Sequence, residues 1–129
     1  MSTLLRIIAW CVLVLSGFGI GAITAVVRGW GSPVVTLELA NQSGRSIQSF
    51  VVRYDTCGNK ASITSEGPSA GQSKRIYFSV CGEGGYALEV VFSDGQRMVS
   101  RNSYVESGYS ITEVVTANTI DSKQPIYGL

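Results

Sequence analysis

IIAWCVLVLSGFGIGAITAVV, at residues 7–27, is the stretch that decides the architecture, because no charged side chain lies between Arg6 and Arg28. As a helix rising about 1.5 Å per residue, it spans roughly 30 Å, the hydrocarbon thickness of a bilayer. The flanking arginines can extend to opposite headgroup layers. The sequence therefore predicts a single transmembrane anchor helix over residues 7–28, preceded by a cytoplasmic tail of residues 1–6.

The same stretch fits a second interpretation, a cleaved secretory signal sequence. Residues 1–6 would be its basic start, residues 7–15 its apolar core and residues 17–19 (Gly-Phe-Gly) a small-x-small cleavage site. The apolar run continues to Val27, so we favour the uncleaved anchor. Cleavage would instead give a secreted β protein.

Three small residues recur inside the helix at a spacing of four, namely Gly17, Gly21 and Ala25. This spacing places them on one helix face, where a second helix can approach closely. They are candidates for helix packing with a partner or with a second copy. Glycine is also common in membrane helices, which is the alternative explanation. Cys11 is expected to be a passive apolar residue.

Composition excludes several classes of function. The chain has 10 Lys and Arg, 9 Asp and Glu, and no histidine. The charges are interspersed, so no basic patch indicates nucleic acid. Without histidine, Ser-His and Cys-His nucleophile pairs and histidine metal sites are excluded. We expect no catalytic residue, no cofactor and no metal.

Alternation of apolar and polar residues dominates the chain after a linker of residues 29–33. This period of two is typical of half-buried strands. We predict an all-β class, a small antiparallel β-sandwich with immunoglobulin-like topology, over residues 34–117, followed by a loosely docked tail of residues 118–129. The predicted strands cover residues 34–39, 47–54, 61–64, 74–80, 86–92, 97–105 and 109–116.

Burial predicts the register around the turn at residues 93–95 (Ser-Asp-Gly). A two-residue turn would point two arginines into the core, which is costly. A three-residue loop instead places Phe92 opposite Gln96 and Val90 opposite Met98, with Arg97 outward. We therefore predict the three-residue loop, with Met98 buried.

Cys57 and Cys81 are the cysteines of the β domain, and each is followed directly by glycine in a turn. If the two turns meet at one end of the sandwich, they form a disulfide. A disulfide requires an oxidising compartment, which places the β domain outside the cytoplasm, in the periplasm or extracellular space. Two unrelated free thiols are the alternative.

Carboxylates are the remaining candidates for chemistry. A hydrolase needs two of them converging in a cleft, and calcium needs several oxygen ligands together. Most are expected in turns or at outward strand positions, where they make the surface soluble; Asp94 and Glu106 are the candidate calcium ligands. The carboxylates considered are Glu83, Glu89, Asp94, Glu106 and Glu113.

The segment of residues 103–110 is the most distinctive in the domain. Tyr104, Glu106 and Tyr109 surround a tight turn and are a possible contact for a partner protein. The structural alternative, which we favour, is an aromatic pair closing a hairpin. A second turn, at residues 41–43 (Asn-Gln-Ser), matches the N-glycosylation pattern.

The sequence favours a non-catalytic, single-pass membrane protein whose external β domain binds a protein or envelope partner. It would be an accessory subunit or an immunity or inhibitor protein. A small envelope hydrolase using Glu83, Glu89 and Glu106 is one alternative. A structural tether that oligomerises through its membrane helix is another.

Overall fold

A computed structural model describes residues 3–27 and 33–123 of the chain. These residues belong to two separate units, an apolar helix and a β unit. The linker predicted at residues 29–33 lies outside the described residues except for Pro33.

Helix α1 covers Thr3–Val27, so it begins before the predicted anchor boundary at residue 7. Its large apolar side chains, including Trp10 and Phe18, are exposed. Within it, Arg6–Ala25 is long and apolar enough to cross a membrane. A helix of this kind serves as a membrane anchor or as a signal sequence.

The β unit has two sheets. Its strands are β1 (Val34–Asn41), β2 (Ile47–Thr56), β3 (Asn59–Glu66), β4 (Ser73–Ser79), β5 (Gly84–Phe92), β6 (Arg97–Val99), β7 (Ser103–Val105), β8 (Ser110–Val115) and β9 (Ile120–Lys123). The first sheet, which we call the β1 sheet, has the strand order β4-β1-β8-β9. The second, which we call the β5 sheet, has the order β3-β2-β5-β6, with β7 also paired to β5.

The antiparallel prediction fails at one pair, because β1 and β8 run parallel. The other pairings among the described strands are antiparallel. A parallel pair needs a connection longer than a hairpin, and here most of the β unit separates the two strands. The immunoglobulin-like topology is not confirmed and stays a prediction.

Both sheets contribute to one apolar core. In β1 the alternation buries Val35, Leu37 and Leu39, and the β5 sheet contributes side chains such as Phe50 and Leu88 to the same cluster. Complete burial of side chains of this size contributes about 1.5–3 kcal/mol each relative to exposure. The period of two is therefore the main determinant of which residues lie inside.

The three-residue loop at residues 93–95 is confirmed. Phe92 N–H donates to Gln96 O at 2.9 Å, and Val90 pairs with Met98. Gly95 has φ +86°, the left-handed conformation that such a loop needs. Arg97 is exposed as predicted, while Met98 is half-buried against the core rather than fully enclosed.

Two strand predictions are wrong in the last third of the chain. The strand predicted over residues 97–105 is interrupted, and its two parts, β6 and β7, each pair with β5. At the interruption, Ser100 Oγ accepts a hydrogen bond from Leu88 N–H at 2.8 Å, in the place of a backbone carbonyl. Part of the predicted tail, β9, pairs with β8 instead of docking loosely.

Candidate functional site

The predicted disulfide between Cys57 and Cys81 is present, with a Cα–Cα distance of 6.2 Å. Cys57 and Gly58 both have positive φ and form the tight turn between β2 and β3. Cys81 lies where the chain passes from β4 in the β1 sheet to β5 in the β5 sheet. The disulfide therefore links the β2–β3 turn of the β5 sheet to the connection that leaves the β1 sheet after β4.

The two tyrosines singled out in the sequence, Tyr104 and Tyr109, lie together beside the start of β5. The ring centroids of Tyr104 and Tyr109 lie 5.7 Å apart in an edge-to-face arrangement. The expected hairpin is wrong, because Tyr104 is in β7 of the β5 sheet, whereas Tyr109 directly precedes β8 of the β1 sheet. The tyrosine pair is therefore a contact between a residue of the β5 sheet and a residue adjacent to the β1 sheet.

Two carboxylates meet at the Tyr104 hydroxyl. That oxygen lies 3.1 Å from Glu106 Oε2 and 3.3 Å from Glu83 Oε2. Loss of solvent, the hydrogen bond to Glu106 and its negative charge raise the pKa of Tyr104 to about 12. Tyr104 as a whole residue is 42% exposed. We call Glu83, Tyr104, Glu106 and Tyr109 the Tyr104 patch; it is acidic and aromatic.

A cavity of about 570 Å³ lies beside the Tyr104 patch on the outer face of the β5 sheet, where Gly85 pairs with Tyr104. Gly85 and Ala87 line it and place little side-chain volume there. A Cβ at Gly85 would meet only Ser103 O, at 3.7 Å, which is ordinary contact. Packing therefore does not require a glycine at position 85. A glycine inside a strand also weakens that strand.

The other surface carboxylates do not join the Tyr104 patch. Glu89 lies 2.7 Å from Arg53 and 3.1 Å from Arg97, and the hydrogen bond from Arg53 is the main cause that lowers its pKa. Glu89 is therefore not paired with Glu83 or Glu106 as the hydrolase hypothesis requires.

The calcium hypothesis is not supported by the positions of its ligands. Asp94 follows the end of β5, whereas Glu106 follows Val105, which pairs with Gly84 at the beginning of β5. The length of the strand places them about 25 Å apart. Asp94 also accepts hydrogen bonds from the backbone of Gln96 at 2.9 Å and from Arg45 at 3.1 Å. Among the described residues, no group of three or more His, Cys, Asp or Glu could hold a metal ion.

Glu113 departs from the expectation that most of the carboxylates lie in turns or at outward strand positions. It faces the core from β8 with a relative exposure of 0%. The Tyr86 hydroxyl donates a hydrogen bond to Glu113 Oε1 and lies 3.1 Å from Ser122 Oγ. Glu113 Oε2 is buried without a hydrogen-bond partner in residues 3–27 and 33–123. Burial raises the pKa of Glu113, although the Tyr86 hydrogen bond and the nearby Ser122 hydroxyl oppose the rise.

The alternation of residues in β8 indicates the burial of Glu113. In β8, Glu113 lies two residues from both Ile111 and Val115, and these share its face of the sheet. Alternation alone would have placed it inside. The expectation that a carboxylate faces water overrode that pattern.

A second cavity of about 570 Å³ adjoins Glu113. It lies between the interrupted β6–β7 edge of the β5 sheet and the β8–β9 edge of the β1 sheet. We call it the Glu113 cavity. It is lined by Met98, Val99, Ser100, Arg101, Ser103, Glu113, Asn118, Thr119, Ile120, Asp121 and Ser122.

The candidate packing face of α1 is open. Nothing among the described residues lies within 4 Å of a Cβ added at Gly17 or Gly21. Ala25 continues the face one turn later and is half-buried. Cys11 is a free, exposed thiol on the helix. Contact of this face with a second helix stays a prediction.

Comparison with known proteins gives a likeness of fold. No protein-family model and no curated protein matches the chain. A protein from Eubacterium rectale, solved by NMR, is similar with a TM-score of 0.51 and 13% identity, over 74% of this chain and 92% of that one. This likeness shows the fold alone.

Two toxin structures match more weakly. The human-specific toxin intermedilysin has a TM-score of 0.38 and 12% identity, over 74% of this chain and 24% of that one. Pneumolysin from Streptococcus pneumoniae has a TM-score of 0.37 and 9% identity, over 70% of this chain and 23% of that one. At these scores neither match carries an argument about this chain.

Proposed function

We propose that this chain is a non-catalytic, single-pass membrane protein whose β unit lies outside the cytoplasm and binds a partner protein through the Tyr104 patch. In this proposal α1 is the uncleaved anchor and the N-terminus is cytoplasmic. The protein would act as an accessory subunit or as an immunity or inhibitor protein. The observation that carries the proposal is the exposed Tyr104, whose hydroxyl lies between two carboxylates.

The disulfide supports the external location. Structural disulfides persist in oxidising compartments, and Cys57–Cys81 belongs to the β unit. The helix that precedes the β unit has the length and composition of a membrane anchor. Together these features favour a chain held at the membrane with its β unit in the periplasm or extracellular space.

The chemistry of the Tyr104 patch supports a basic partner surface. Tyrosine is enriched among the residues that contribute most to protein interfaces. Glu83 and Glu106 add negative charge beside the ring. Lysine or arginine side chains of the partner can therefore form ion pairs with the carboxylates and pack on the aromatic face. The neighbouring cavity over Gly85 gives the partner a recess for one side chain.

Site-specific photo-crosslinking in the full-length chain tests the proposal. A photoreactive phenylalanine at position 104 is expected to give one discrete crosslinked protein. The matched control is position 77, because Tyr77 is also exposed, at 62%, but lies on the β1 sheet. The Glu83→Lys, Glu106→Lys double variant is expected to abolish the crosslink at 104, because it reverses the charge that attracts a basic partner.

The proposal fails if position 104 gives no crosslink, or if positions 104 and 77 give the same products. It also fails if the double charge reversal leaves the crosslink intact. An unchanged thermal unfolding temperature of the double variant is the accompanying control, since both glutamates lie at the surface.

A further inference from the structure

The Glu113 cavity contains a carboxyl group whose burial works against the fold. Glu113 is fully buried, and its Oε2 has no hydrogen-bond partner among the described residues. Burying a carboxyl without partners destabilises a protein, and an apolar side chain of similar volume is often more stable. A sequence selected for stability alone has no reason to keep a glutamate here.

The missing hydrogen-bond partner of Glu113 Oε2 indicates which kind of ligand would complete the site. In the ionised form of Glu113, Oε2 is an acceptor, so this form needs a donor that the described residues do not supply. Asp121 lines the same cavity, and its negative charge acts on Glu113 in the direction that disfavours a second anion. Arg101 also lines the cavity, so the three charged side chains sum to one negative charge when all are ionised. A ligand with hydrogen-bond donors and a positive charge would supply the donor for Oε2 and balance the negative charge of the cavity.

The remaining lining fits the rest of such a ligand. Met98, Val99 and Ile120 supply apolar wall, which suits a chain of methylene groups. Ser100 and Ser103 supply hydroxyls that can accept from the same donor group. Met98 is half-buried and unbranched, so it can rotate to admit a ligand at modest cost.

We propose that the Glu113 cavity binds a primary ammonium group carried on an alkyl chain, with Glu113 Oε2 as its buried acceptor and Asp121 as the second carboxylate. The ammonium has three donors, so it supplies the hydrogen bond that Oε2 lacks. Its charge allows Glu113 to ionise inside the core. The same chemistry is present in a free alkylamine and in a lysine side chain of another protein. The site is separate from the Tyr104 patch and does not depend on it.

Carbon-13 NMR of the full-length protein in detergent micelles tests this directly. The probe is n-butylammonium, and 1-butanol is the control for apolar binding alone. We expect a saturable shift of the Glu113 carboxyl signal with butylammonium and none with butanol. Nα-acetyl-lysine N-methylamide distinguishes the sources: a tighter complex than that of butylammonium indicates a lysine side chain, whereas a weaker one indicates a free amine.

Two variants and a matched control accompany the titration. Glu113→Gln is expected to weaken butylammonium binding at least about tenfold, because it removes the charged acceptor. Asp121→Asn changes an exposed side chain, and a several-fold loss of butylammonium binding is expected. Asp94→Asn, an exposed carboxylate at another turn, is expected to have no effect.

The proposal is overturned if the wild-type signal does not shift saturably, or if butanol shifts it equally. It is also overturned if Glu113→Gln and Asp121→Asn both bind butylammonium like the wild type. If Glu113→Gln does not fold, the wild-type titration and Asp121→Asn decide between the outcomes.

Discussion

The Tyr86 hydroxyl donates a hydrogen bond to the Glu113 carboxyl across the core, and this bond joins β5 of one sheet to β8 of the other. Ser122 Oγ extends the contact to β9, 3.1 Å from the same hydroxyl. Burial raises the pKa of Tyr86 as well as that of Glu113, so both groups favour their neutral forms. A small polar network therefore connects three strands, from the buried Glu113 to the exposed Ser122.

The raised pKa of Glu113 predicts an unusual pH dependence. A carboxyl whose pKa is higher in the folded than in the unfolded state stabilises the protein fully below the unfolded value of 4.5. This contribution is lost as pH rises through the higher folded pKa, because the folded state then has to hold a buried anion. In urea unfolding between about pH 4 and about pH 8, the free energy of the wild type is expected to fall relative to that of Glu113→Gln.

The comparison with Glu113→Gln isolates this effect. Glu89 and Asp94 have lowered pKa values and give the opposite dependence, since their stabilisation is lost as pH falls. Both carboxylates are present in both proteins, so their contributions cancel in the difference. Parallel pH profiles for the two proteins would contradict the prediction.

Two neighbouring glycines at the start of β5 are expected to differ in how much an alanine substitution destabilises the protein. A Cβ at Gly84 would lie 2.0 Å from Asp55 O, so Gly84→Ala must shift the backbone of the β2–β5 pair. We expect a loss of about 2 kcal/mol or more in the free energy of unfolding. At Gly85 the nearest atom to a Cβ is 3.7 Å away, so Gly85→Ala is expected to be close to neutral. Urea unfolding of both variants is the measurement, and equal losses would be inconsistent with this geometry.

The sequence predicts those parts of the fold in which burial leaves one solution. The loop at residues 93–95 was predictable because the alternative register buries two arginines. The pairing of Cys57 with Cys81 was predictable because both cysteines follow strands and precede glycines. The same local reasoning singled out Tyr104, Glu106 and Tyr109, which the structure brings together, while their contact with a partner stays a prediction.

The missed features depend on contacts between residues distant in sequence. The β6–β7 interruption follows from Ser100 Oγ replacing a backbone acceptor for Leu88, and no pattern in residues 97–105 indicates it. Glu83 joins Tyr104 only because the turn after β4 meets β7. The parallel pairing of β1 with β8 is likewise a property of the whole topology. Local periodicity contains none of this information.

Asn41 is expected to be a structural residue rather than a glycan acceptor. It is buried, and its side-chain N–H groups donate to Arg45 O at 2.7 Å and to Pro68 O at 3.0 Å. Asn41→Asp replaces this donor with an acceptor that faces the carbonyl oxygens of Arg45 and Pro68, at a cost of about 1–3 kcal/mol. Thermal unfolding should show the loss, whereas Asn118→Asp, at an exposed site, should change little. A glycan on Asn41 of the folded protein would disprove this role.

The glycine face of α1 gives a prediction about association in the membrane. If Gly17 and Gly21 contact a second helix, a leucine at either position fills the space that the contact needs. We expect Gly17→Leu and Gly21→Leu to abolish association in a membrane reporter assay, while Val14→Leu does not. Equal behaviour of all three variants would show that the glycines do not form a contact face.

The disulfide connects the stability of the β unit to its location. Cys57 and Cys81 are 24 positions apart, and closing a loop of that size stabilises a fold by roughly 3–4 kcal/mol through restriction of the unfolded chain. We expect the Cys57→Ser, Cys81→Ser double variant to lose about that much in urea unfolding. In the denatured full-length protein from cells, a thiol reagent is expected to label Cys11 alone before reduction and all three cysteines after it. Labelling of all three cysteines without reduction would mean that the bond does not form in the cell, and it would remove the main support for a β unit outside the cytoplasm.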